Sequence, residues 1–330
     1  MTAHRVGGPG SWTSHLGPPG LVVNALKGDA AEQRAHRWLE WDGAARPAVA
    51  LIGVPFDGAS VVRTGSRHGP DAVRLALQNY TTFATSTGTT IEGVDAADVG
   101  DLDVVLTDMT TTFRRLRDTV QALVSAGTLV VAVGGDHSIT WPMLEGVTAA
   151  VPSRQIGVIH FDAHHDLRES HFGAESSGVP FRKALGFEGS PLLGRNLVQI
   201  GIAEFANAPG HAEYAREQGV TVIGNVEVFE RGLDACVEDA LERAGDGTEA
   251  IYVTIDVDAI DHSQAPGTAA PNPNGLDARD LYRGVRRIAR RPEVLGMDVV
   301  EISPTLEAGN LTGNVGAMLA LSFLAGVSER

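Results

Sequence analysis

Apolar residues in this chain come in short unbroken runs, and the runs are separated by stretches of helical period. Runs at 48–54, 128–133, 156–161, 197–202, 220–223, 250–255 and 296–300 are rich in Val, Ile and Leu and lack strict polar alternation. Such runs read as strands buried on both faces. Between them, residues 71–79, 111–126, 226–244, 276–290 and 314–327 carry helical spacing, and a further helix starts at Pro180, where proline fits the first turn. The helix at 276–290 is basic at its C-terminal end, as the helix dipole favours. Strands alternating with helices predict an α/β fold, a mostly parallel sheet covered by helices on both faces. A closed barrel of eight units is the competing architecture, and the irregular spacing argues against it. Residues 1–47 are mixed, with Gly and Pro at 7–10 and 17–20 and a short helical stretch at 30–41. They read as an N-terminal extension, and 48–330 as one domain.

Composition narrows the class. With 330 residues and 43% hydrophobic content the chain can bury a large core. A net charge of −15 opposes nucleic acid as a main partner, because phosphate binding needs clustered Lys and Arg. It leaves an anionic small molecule open, since a local arginine can oppose the global sign. The single cysteine, Cys236, permits no internal disulfide. No run of eighteen apolar residues and no basic-then-apolar leader is present, so a soluble, cytoplasmic protein without membrane contact is expected.

Chemistry gathers where the apolar runs stop. Asp162-Ala163-His164-His165-Asp166 follows the run at 156–161. Alternate residues leaving a strand point the same way, so Asp162, His164 and Asp166 converge while His165 points elsewhere. Two carboxylates and an imidazole together are costly without a cation among them. Three other runs end similarly, at Gly134-Gly135-Asp136-His137-Ser138, at Asp256-Val257-Asp258 and at Glu301. Functional residues of parallel sheets collect at the carboxyl ends of the strands. Without Glu301 the set offers the four carboxylates Asp162, Asp166, Asp256 and Asp258 and the two imidazoles His137 and His164, more than one ion needs and suited to two divalent ions sharing bridging carboxylates. An oxygen-rich donor set without cysteine favours manganese over zinc, with nickel, iron and cobalt left open.

Taken together these segments resemble the ureohydrolase superfamily of arginases, agmatinases and formimidoylglutamases. Asp256-Val257-Asp258-Ala259-Ile260-Asp261, Ala265-Pro266-Gly267-Thr268 and Val300-Glu301-Ile302-Ser303-Pro304 fit it, as do Gly53-Val54-Pro55-Phe56-Asp57 and Gly65-Ser66-Arg67-His68-Gly69-Pro70. The resemblance spans about residue 48 to the end. It implies a three-layer α/β/α fold with an eight-stranded central sheet and two Mn2+ ions per chain. One ion would be held by His137, Asp162, Asp166 and Asp256, the other by His164, Asp162, Asp256 and Asp258. A hydroxide bridging them would attack the electron-poor carbon of a linear amidine or guanidine. Asp258 would hydrogen-bond that hydroxide and pass its proton to the leaving amine, and Glu301 would pair with the cationic nitrogen of the substrate. Family members are commonly trimers or hexamers, so a homo-oligomer is expected.

The residues after the central motif set the substrate. Arginases and agmatinases carry a proton-transferring His where this chain has Ser177, and a hydroxyl does not shuttle protons as an imidazole does. Ser176-Ser177-Gly178-Val179-Pro180-Phe181, Asp166-Leu167-Arg168 and the run from Ala265 to Leu276 look like formimidoylglutamase. That enzyme converts N-formimidoyl-L-glutamate and water to L-glutamate and formamide, in histidine degradation. Arg168 and Arg182 would serve the substrate carboxylates, with Ser176 and Ser177 beside them. The segment 53–70 looks more like agmatinase, so a guanidino-acid or agmatine hydrolase releasing urea is the alternative. A single-zinc deacetylase and a non-catalytic paralogue acting as a binding subunit are the readings from other classes. His165 reads as a supporting residue, and His171 as a group approaching from a loop. Loops at 81–95, 167–179 and 203–213 are expected to line the pocket for the substrate tail.

Overall fold

The structure is a computed structural model and describes residues 16–17, 32–153, 155–170, 175–186 and 192–330. Eight parallel strands form its centre: β1 (Val49–Gly53), β2 (Ala96–Leu102), β3 (Leu129–Val133), β4 (Ile156–Phe161), β5 (Leu192–Ile202), β6 (Thr221–Gly224), β7 (Ala250–Asp256) and β8 (Val294–Val300). Their spatial order is β2, β1, β3, β8, β7, β4, β5, β6. Outside β2, Leu16–Gly17 adds a two-residue antiparallel edge, opposite Leu102 and Asp101. The sheet is open, so the barrel is excluded.

Strand periodicity divides the apolar residues between two cores. From β3 and β7, Val131, Val133, Val253 and Ile255 join one core, while Val130, Ala132 and Tyr252 join the other. Helices Gly69–Leu77, Leu233–Gly245, Ala278–Ala289 and Leu311–Val327 cover the first face. Met109–Ser125, Thr140–Ala150, Pro180–Leu185 and Pro209–Gln218 cover the second. With both faces buried there is no wet side to demand alternation, which is why the strands read as continuous apolar runs.

The structure departs from the sequence pattern in several places, among them the unforeseen helix Thr140–Ala150. Strand β2 is absent from that pattern because Asp98 and Asp101 interrupt it. Both pair with Arg74, whose Nε lies 2.7 Å from Asp98 and Nη1 2.5 Å from Asp101. The single helix expected over 226–244 is two, Asn225–Arg231 and Leu233–Gly245, broken at Gly232, where φ is 80°. The loop expected at 203–213 runs into the helix Pro209–Gln218. Within 30–41 only the turn Ala35–Trp38 is helical, residues 30 and 31 lying outside the described residues. His171 also lies outside them.

Candidate metal centre

Strands β3, β8, β7 and β4 are consecutive in the middle of the sheet, and their carboxyl ends carry the acidic cluster. The chain reaches β7 and β8 only after building β5 and β6 on the far side of β4, so the two latest strands fill the gap between β3 and β4. That topological switch leaves the crevice in which ligands of open α/β sheets bind.

His137 begins the one-turn helix after β3. The loop that carries it is pressed onto the exit of β1, where Asp136 N donates to Phe56 O at 2.9 Å. A Cβ on Gly135 would lie 1.6 Å from the same oxygen, so only glycine fits there. His137 is fully buried, and its Nδ1 lies 3.0 Å from Asp166 Oδ2, 3.1 Å from Asp162 Oδ2 and 3.4 Å from Asp256 Oδ2. That nitrogen makes no hydrogen bond among the described residues. On the opposite side of the cluster, His164 Nδ1 lies 3.0 Å from Asp258 Oδ2 and 3.4 Å from Asp162 Oδ1. Asp162 thus faces both imidazoles. Glu301 accepts from the His137 backbone N–H at 3.0 Å through Oε1, while its buried Oε2 has no partner among the described residues.

Electrostatics mark the arrangement as one that wants a cation. Burial, then the charge of Asp162, pushes Asp256 up to about 6. Burial, then Asp256, holds both Asp258 and Glu301 well above the usual carboxylate range. The charge of Asp258 drives His164 up to about 12. Asp162 runs the other way: although burial opposes ionisation, His160 and the bonds from the surrounding imidazoles hold it well below the ordinary value. Carboxylates forced toward protonation and an imidazole nitrogen without a donor are what divalent cations would relieve. The donor set fits two such ions.

Two of the four non-glycine residues with positive φ among the described residues belong to this cluster, Asp166 at 49° and Glu301 at 65°. Such backbone strain collects at functional sites.

His160 also lies within reach of His137 and Asp162, which makes it a geometric candidate for ligation. Both of its nitrogens are already committed. Gln199 Nε2 donates to His160 Nδ1 at 3.1 Å, so His160 Nε2 carries the proton and donates to Asp162 Oδ2 at 2.8 Å. The Gln199 carbonyl oxygen in turn accepts from His165 Nδ1 at 2.7 Å. His165 is accordingly a buried support, away from the cluster.

The cavity above the cluster is lined by His137, His164, Asp166, Asp256, Asp258 and Glu301, with Ser60, Val61, Val62, Thr268, Ala269 and Ala270 on its other walls. Arg168, Ser177 and Gly178 complete it. Arg168 packs over Gly178 and has no carboxylate partner among the described residues. Ser176 lies behind the wall, its hydroxyl accepting from Gly178 N at 3.3 Å. Arg182 is not brought to the cavity: it pairs with Glu169 at 2.8 Å and lies 3.5 Å over the ring of Tyr214. The expectation that it meets a substrate carboxylate is corrected accordingly, because its charge is already spent. Of the loops expected to line the pocket, 167–179 does so, whereas 81–95 and 203–213 contribute no wall. Arg63 went unnoticed in the sequence. Its guanidinium bonds to the carbonyls of Thr268 and Ala269 at 2.7–3.1 Å and braces that wall.

Comparison with known proteins agrees with this architecture. Residues 47–326 match the model of the arginase family. A formimidoylglutamase from Halalkalibacterium halodurans is 34% identical over 87% of this chain and 89% of its own. A guanidinopropionase from Pseudomonas aeruginosa is 37% identical over 85% and 87%. The crystal structure of formimidoylglutamase from Bacillus subtilis superposes with a TM-score of 0.87 at 30% identity, covering 93% of this chain and 96% of that one. With its open eight-stranded parallel sheet, its acidic crevice and a match over most of its length, the chain belongs to the arginase family.

Proposed function

We propose that this protein is a formimidoylglutamase, a hydrolase of the C–N bond in a linear amidine. The observation that carries the substrate class is Arg168, a guanidinium in the wall of an acidic cavity that has no carboxylate partner among the described residues. A substrate with a cationic formimino head and an anionic tail matches that pairing of charges. Agmatine, which has a second amine in place of a carboxylate, does not.

In this reading His137, Asp162, Asp166 and Asp256 would hold one Mn2+, and His164, Asp162, Asp256 and Asp258 the other. Bound there, the ions would supply a nucleophile from water near neutral pH. The chain's own groups do the rest. Glu301 Oε2, buried and unpartnered, accepts from the formimino N–H and holds the head over the cluster. Asp258 Oδ2, at the cavity wall, takes the proton of the attacking water and returns it to the departing nitrogen. Ala163 N donates to Asp258 Oδ1 at 3.1 Å and keeps that carboxylate in place. Water adds to the imino carbon, the bond to the glutamate nitrogen breaks, and formamide and glutamate leave. Ser177, a lining residue, offers a hydroxyl and no imidazole, and this reading therefore gives the proton transfer to Asp258.

A guanidino acid also joins a cationic head to a carboxylate, and the 37% identical guanidinopropionase makes it the second reading. The test is product analysis of the Mn2+-loaded protein. Formamide and glutamate from N-formimidoyl-L-glutamate are expected; urea from a guanidino acid without formamide release would overturn the assignment.

A further inference from the structure

Below the metal cluster the sheet carries a row of polar side chains. Asp298 on β8 is in register with Thr254 on β7, Thr254 with His160 on β4, and His160 with Gln199 on β5. All four are 0% exposed. Buried polar groups in a sheet interior are costly unless they satisfy one another, and these do. Asp298 accepts from Thr254 Oγ1 at 2.6 Å, from Tyr252 Oη at 3.0 Å and from Thr140 Oγ1 at 3.1 Å. Thr254 Oγ1 is also 3.0 Å from His137 Nε2.

A hydroxyl has one proton to give. Asp298 is the stronger acceptor and takes it, so Thr254 can only accept from His137. The proton of the His137 ring then sits on Nε2, and the lone pair sits on Nδ1. That is the nitrogen facing Asp162, Asp166 and Asp256 at 3.0–3.4 Å. Thr254 has no other imidazole to serve, because His160 is committed to Asp162 and Gln199.

We propose that Thr254 and Asp298 are positioning residues that fix His137 in the tautomer presenting Nδ1 to a metal ion. The proposal rests on the two-metal reading above. Carboxylate partners acting through a ligand's second nitrogen raise its basicity and lock its orientation, and removing them typically weakens metal binding roughly 10- to 100-fold.

The experiment titrates metal-free protein with Mn2+ and reads free Mn2+ by its electron paramagnetic resonance signal, with a thermal melt of each variant beside it. Thr254→Val keeps the side-chain shape and removes the acceptor. It is expected to weaken one of the two ions about 10- to 100-fold, and Thr254→Ser to restore it. Asp298→Asn, which keeps the carboxylate shape, gives a second route and is expected to weaken the same ion. Tyr252→Phe removes a bond to Asp298 without touching the His137–Thr254 pair, and is expected to bind Mn2+ as the wild type does while melting lower. Wild-type affinity in Thr254→Val and Asp298→Asn would overturn the relay alone. So would a Tyr252→Phe loss as large as theirs, which would mean packing. A wild-type protein that binds no Mn2+ would overturn the relay and the proposed function together.

Discussion

Arg168 and Asp256 illustrate how much single side chains decide in this cavity. Arg168 is the cation in the cavity wall, so its truncation should act on binding. Arg168→Ala is expected to raise KM for formimidoylglutamate roughly 10- to 100-fold, the worth of charge-assisted hydrogen bonds. A smaller fall in kcat would be read from steady-state kinetics on the same protein. Asp256 makes a prediction of sign. Without metal it is pushed up from 3.8 to about 6. The folded form then holds a proton that the unfolded chain releases, and this stabilisation is complete below the unfolded value and lost as pH rises through about 6. The metal-free protein should therefore melt higher near pH 5 than near pH 7, whereas the Mn2+-loaded protein should melt lower, because protons and cations compete for one carboxylate. Differential scanning calorimetry across that range checks both slopes. Asp162, His164 and Asp166 were legible in the sequence because their alternation follows from strand geometry. Asp298, Thr254 and Gln199 were not: a polar residue inside a strand-like run shows no role until the strand beside it supplies its partner.

At the level of the element, backbone requirements separate what pattern could foresee from what it could not. Strand β2 was hidden because Asp98 and Asp101 look like a loop when Arg74, 24 residues before Asp98, is not yet known to reach them. The break at Gly232 was hidden because the apolar period continues through it. The left-handed conformation there excludes a side chain on backbone grounds alone, since a Cβ would meet nothing within 4 Å. Gly232→Ala should cost about 1 kcal/mol in urea unfolding and leave Mn2+ binding untouched. Gly135→Ala is the opposite case, for its Cβ would strike the Phe56 carbonyl. It should displace His137 and weaken metal binding together with stability, checked by Mn2+ titration beside the unfolding curve.

Over the whole molecule, the continuous apolar runs foretold a parallel sheet and two faces of helices, but the strand order was beyond periodicity, which is blind to neighbours. In the proposed two-metal reading that order would make the ions a clasp on the entire fold. The candidate ligands follow β3, β4 and β7 and meet at one point, so ions that bind only the folded form should stabilise all of it, by about 2.7 kcal/mol at a concentration one hundred times Kd. Chelation should lower the melting temperature of the full transition, with no separate early phase. The same order bears on how the chain is made. Strands β7 and β8 are the last of the sheet to be synthesised, yet they occupy its middle. Until they emerge, β3 and β4 cannot meet, and each presents an unpaired apolar edge of the kind that seeds association between chains. A ribosome stalled between residues 224 and 250 would hold two half-sheets with sticky inner edges and no strand to close them, which makes complete translation a condition of solubility as well as of activity.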